Sequence, residues 1–111
     1  MADERTDDAE LQDELLAELM DGIKECRQLG YNPTAFQVMI HEHGALEAVR
    51  RLARPPVEQC SDGFTRLWEM KRLDLAVEHI VAYRERYAPL FTDAERETAR
   101  QRLALYGYTG P

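Results

Sequence analysis

The sequence predicts an all-α protein, a compact bundle of about five to six helices. Three observations carry this. Apolar residues recur at steps of three and four along most of the chain, cap and stop residues punctuate those runs, and no alternating run is long enough for a strand. At 111 residues, with 44% hydrophobic and 32% charged residues, the chain suits one packed core and not a disordered polymer.

Residues 1–8 read as a disordered acidic leader ahead of a single helical domain over 9–108. Leu11, Leu15, Leu16, Leu19, Met20, Ile23 and Cys26 fall on one stripe, which predicts a helix over 9–29 with an acidic opposite face. Gly30 is then placed to take the left-handed position after its end. Asn32 and Pro33 predict a restart, because asparagine caps an early helical N–H and proline suits the first helical position. The resulting helix over 33–43 shares Phe36, Met39, Ile40 and His43 on one face, and Gly44 breaks it. A short helix over 45–53 follows, with Leu46, Val49, Leu52 and Ala53 expected inside.

Arg54, Pro55 and Pro56 stop that helix, since a residue before proline avoids the helical region and two prolines remove two donors. Residues 54–62 therefore form a loop. Ser61, Asp62 and Gly63 open a helix over 63–71 that carries Phe64, Leu67 and Trp68, core residues by helical phase, with Lys71 and Arg72 as cations suited to its last turn. Asp74 is expected to cap a helix over 74–84, turning Leu75, Ala76, His79, Ile80 and Tyr83 inward. Thr92 and Glu95 fit a capping box with Phe91 ahead of it, which predicts a final helix over 93–106 with Ala99, Leu103 and Tyr106 inside and Gly107 as terminator.

The formal charge is −7, and residues 1–30 hold all of it, with ten acids against three bases. That imbalance repels phosphate backbones and argues against non-specific nucleic-acid binding by the whole chain. Cys26 and Cys60 belong to no CxxC pair and read as reduced thiols. With no basic segment leading into an apolar one at the N-terminus, and no apolar stretch of about 20 residues, the protein is expected to be cytoplasmic and away from membranes.

Catalytic and cofactor motifs are not recognisable. His41, Glu42 and His43 offer zinc-ligand chemistry, but residues two apart on a helix diverge by roughly 200°, whereas zinc-binding helices space their histidines by four. His79 lies far along the chain from both. Ser61, Asp62 and His79 contain the residue types of a hydrolytic triad, yet Ser61 sits in a cap sequence without a glycine-flanked nucleophile turn. The glycines are scattered as helix terminators and form no phosphate loop. The chain is accordingly read as no enzyme, with no cofactor and no metal.

Binding is the remaining class. The stripe Leu15, Leu16, Leu19, Met20 and Ile23 on an acidic first helix is suited to dock into a partner groove or to pair with a second copy, and Tyr108, beyond the terminating glycine, is a further anchor candidate. The preferred expectation is a regulatory or accessory protein–protein interaction module. The second reading is a nucleic-acid-associated accessory of bacterial DNA processing or defence that uses Arg50, Arg51, Arg54, Arg96 and Arg100, with Arg102 near the same face. Acids such as Glu47, Glu95 and Glu97 interleave with those arginines, as in a salt-bridged solvent face. A third reading is an acidic inhibitor that mimics nucleic acid.

The segments Gly30-Tyr31-Asn32-Pro33-Thr34-Ala35-Phe36, Gly63-Phe64-Thr65-Arg66-Leu67-Trp68-Glu69 and Arg72-Leu73-Asp74-Leu75-Ala76-Val77-Glu78 form a pattern with Phe91-Thr92-Asp93-Ala94-Glu95 and Tyr106-Gly107-Tyr108. Over residues 20–108 the chain resembles a group of small bacterial helical domains of unknown function. The resemblance implies a coherent helical fold and a bacterial source, and it transfers no site.

Overall fold

The structure, a computed structural model, describes residues 4–110. Among them are six α-helices and two 3₁₀ turns, with no strand, so the protein is all-α. The chain divides into two compact units, one ending at Val49 and the other beginning at Arg50.

In the first unit, α1 (Glu4–Gln28) begins five residues before the expected start. Helix therefore replaces the predicted disordered leader from Glu4 onward, while the first three residues lie outside the described ones. Leu15, Leu19, Ile23 and Cys26 are buried, at the spacing of a single stripe. The helix ends as expected: Gly30 sits at φ +91°, and the Tyr31 N–H closes on the Cys26 carbonyl at 2.9 Å. Asn32 does not cap α2 (Thr34–His43) with its side chain. Its Oδ1 instead accepts from Arg27 Nε at 3.3 Å and Gln37 Nε2 at 2.8 Å, tying the end of α1 to the start of α2. Gly44, at φ +84°, separates α2 from α3 (Ala45–Ala53). On α3 the buried set is Ala45, Ala48, Val49 and Ala53, so small residues take the inner face and the expected Leu46 and Leu52 lie half-buried.

In the second unit, α4 (Asp62–Glu69) starts at a Ser61 cap whose Oγ accepts the Phe64 N–H at 3.1 Å. The expected single helix over 74–84 is instead a 3₁₀ turn over Leu73–Leu75 followed by α5 (Val77–Tyr83), which has no side-chain cap. Asp74 lies inside the 3₁₀ turn, its oxygens accepting from Arg72 Nε and Nη2, each at 3.0 Å, and the cap position of α5 falls to Ala76, which has no side-chain acceptor. Val77, Glu78, Ile80, Val81 and Ala82 are all buried on α5, a wider face than the predicted stripe, while His79 and Tyr83 are half-buried. A second 3₁₀ turn, Glu85–Leu90, leads to α6 (Asp93–Leu105). The Thr92–Glu95 capping box forms in both directions, at 2.9 and 3.0 Å. Helices α5 and α6 pack against each other and make the centre of this unit.

Candidate binding cleft

The second unit is organised around a charged residue that helical phase alone would call apolar. Arg102 is fully buried, and its guanidinium gathers six acceptors. Nε donates to the Val57 carbonyl at 3.0 Å, Nη2 to Pro55 and Pro56 at 2.5 and 2.9 Å, and Nη1 to Leu52 and Ala53 at 3.3 and 3.4 Å. Nη1 also meets Glu78 Oε2 at 2.9 Å. The end of α3 and the proline loop after it are thereby fastened to α5 and α6. Arg102 thus does not join an exposed basic face. Burial pushes the Glu78 carboxyl above its ordinary range, against the pull of its own backbone N–H and of Arg102.

One turn beyond Arg102, α6 ends beside the end of α4. Both ends wind into the same motif. Gly107 lies at φ +88°, with the Tyr108 N–H on the Leu103 carbonyl at 2.9 Å. Lys71 lies at φ +59°, with the Arg72 N–H on the Leu67 carbonyl at 2.8 Å. Lysine holds here the left-handed position that glycine usually takes. Between these ends is a cleft of about 260 Å³ lined by Trp68, Lys71, Leu73, Asp74, Tyr106, Gly107 and Tyr108.

Aromatic rings support its walls. Tyr106 stands edge-on to Phe64 at 5.2 Å and to Trp68 at 5.4 Å. Tyr108 meets His79 edge-on at 5.7 Å and Tyr83 at 6.2 Å. Trp68, expected in the core, is 45% exposed, so its indole is held on one side and open on the other. The Tyr108 phenol is raised above its ordinary range by burial first and then by Asp74 and Tyr83. The Tyr106 phenol is raised chiefly by its hydrogen bond with Cys60. Asp74 is lowered by its hydrogen bonds from Arg72.

The residues singled out by sequence are distributed differently from one another. Of the proposed docking stripe, Leu15, Leu19 and Ile23 are buried, whereas Leu16 and Met20 are 38% and 45% exposed. Only a flank of α1 is therefore open. Tyr108 lines the cleft. Arg50 donates to the Leu90 carbonyl at 2.8 Å and faces Glu95 at 3.3 Å. Arg96 bonds the Val81 and Ala82 carbonyls and Glu85, and Arg100 pairs with Glu97. Arg50 and Arg96 serve contacts within the fold, Arg100 joins an exposed ion pair one helical turn from Glu97, and Arg51 and Arg54 are exposed but also engaged. His41 and His43 are exposed, and no group of three or more metal-ligating side chains occurs among the described residues. No helix among them is long and apolar enough to cross a membrane.

The fold and cleft define an all-α helical protein with an aromatic-walled surface recess. No protein-family model matches the chain, and neither a curated protein nor a solved structure shows significant similarity to it.

Proposed function

We propose that this protein is a protein–protein interaction module, an accessory or regulatory component that captures a short segment of a partner through the cleft at the ends of α4 and α6. The observation that carries this reading is the half-open indole of Trp68 beside Tyr106 and Tyr108. Tryptophan and tyrosine dominate binding energy where they are held rigidly by neighbours yet remain accessible, because they bring large apolar area with few rotamers to freeze. The cleft volume suits one or two side chains of a peptide and not a whole helix. The flank of α1 bearing Leu16 and Met20 is a second, smaller contact surface. The engagement of Arg50 and Arg96 with backbone carbonyls of the fold weighs against the nucleic-acid reading. A reducing, cytoplasmic setting in a bacterium belongs to the same proposal, on the grounds of two cysteines that belong to no CxxC pair and of the pattern of helical segments.

Peptide display against the immobilised protein tests the reading. Selected peptides should shift the emission of Trp68, the single tryptophan. Trp68→Ala should weaken them by about thirtyfold, the effect of removing a hot spot worth about 2 kcal/mol. Peptides that bind Trp68→Ala as tightly as the native protein would refute the cleft as the docking site.

A further inference from the structure

We infer that the segment captured by the cleft is acidic, an apolar peptide stretch followed by a carboxylate that Lys71 receives; the inference rests on the docking reading above. The argument is one of unspent hydrogen-bonding capacity. Asp74, the only acid lining the cleft, has both oxygens committed to Arg72. Its charge is paired with that of the guanidinium, at which one lone pair of each oxygen is directed. Lys71, Trp68 and Tyr108 line the same cleft, and their side-chain N–H and O–H groups make no hydrogen bond among the described residues. The remaining groups are therefore two donors, one of them a full positive charge, and a hydroxyl that can donate or accept, set beside apolar ring faces.

A complementary ligand supplies acceptors and negative charge next to an apolar body. Lys71 is presented from a left-handed corner whose geometry is fixed by the closing bond from Arg72 to Leu67, so its stem starts from a set position at the rim. The opposing influence is the partial negative charge at the ends of α4 and α6, which favours a cation. The Arg66, Leu67, Trp68, Leu103 and Ala104 carbonyls accept the closing bonds of the two motifs, whereas the Lys71 ammonium makes no ion pair among the described residues.

The test uses three capped peptides that share proline, leucine and phenylalanine and end in aspartate, asparagine or lysine, titrated into the full chain with Trp68 emission as readout. The aspartate peptide should bind about three- to fivefold tighter than the asparagine peptide at low salt, in the range of an exposed ion pair, and the advantage should shrink as salt rises. Lys71→Gly should abolish that advantage. This variant removes the ammonium while relieving the left-handed backbone, so it is safe for the fold. Equal binding of aspartate and asparagine peptides would overturn the acidic ligand and leave the docking reading intact. Preference for the lysine peptide, or an aspartate advantage that survives Lys71→Gly, would overturn it equally. Binding of none of the three at millimolar concentration would also overturn it, and peptide display then decides separately whether the cleft docks anything.

Discussion

Replacing Arg102 by methionine keeps an unbranched apolar stem, shorter than that of arginine, and deletes every polar bond the side chain makes. The five carbonyls it serves lie on Leu52, Ala53, Pro55, Pro56 and Val57, at the rim of the unit, and they can regain water if the loop lifts. Glu78 cannot, because it is 1% exposed and left with only its own backbone N–H. Removing one member of a buried ion pair costs about 3–5 kcal/mol, a large fraction of the 5–15 kcal/mol that stabilises an ordinary domain. The reverse perturbation is milder. In Glu78→Gln the guanidinium retains its five carbonyls, and the amide oxygen can still accept from it, so the cost should be about 1 kcal/mol, that of an ordinary hydrogen bond. The double variant Glu78→Gln with Arg102→Met should recover at least 1 kcal/mol over Arg102→Met alone, because the stranded acid is gone. Urea unfolding followed by helical circular dichroism measures all three. Arg102→Met costing under 1 kcal/mol, or Glu78→Gln costing as much as Arg102→Met, would refute the view that burial of an unmatched carboxyl dominates this centre.

Lys71→Gly should raise stability modestly, by about 0.5–1 kcal/mol, because glycine takes the left-handed region without steric cost; the same urea experiment measures it. Thr92→Ala should cost about 1 kcal/mol by removing one half of the capping box, read as a lowered urea midpoint with an unchanged slope. For Tyr108 the phenol is raised in the folded protein, so its contribution is complete below the ordinary tyrosine range and is lost as pH rises through the folded value. Alkaline unfolding should therefore begin at higher pH in Tyr108→Phe, measured by circular dichroism beside phenolate absorbance.

Local signals in the sequence were a good guide wherever one residue type answers one geometric need. Gly30 and Gly107 take the left-handed corners, Ser61 caps α4, and Thr92 with Glu95 closes α6. Lys71 was not legible as a corner because nothing in its side chain favours positive φ, and its charge gave it a different explanation as a last-turn cation. The Arg102–Glu78 pair carried a signal that went unused. Arg102 falls in phase with Ala99 and Leu103, and Glu78 with Val81 and Ala82, so each lies on the inner stripe of its helix. Treating arginine and glutamate as solvent residues hid two opposite charges that could satisfy each other. Tryptophan was misplaced for the converse reason: its apolar area suggested the core, whereas α4 turns Phe64 and Leu67 inward and leaves Trp68 on the shoulder.

The five carbonyls gathered by Arg102 precede it by 45 to 50 positions along the chain. During synthesis, the end of α3 and the proline loop emerge long before the group that will hold them, and their carbonyls must wait in water. Such distant closure is slow to find, because much of the chain must first be brought into place before the bond rewards it. The second unit therefore acquires its centre late, when α6 is nearly complete, and the cleft can open for a partner only once the last helix has been made.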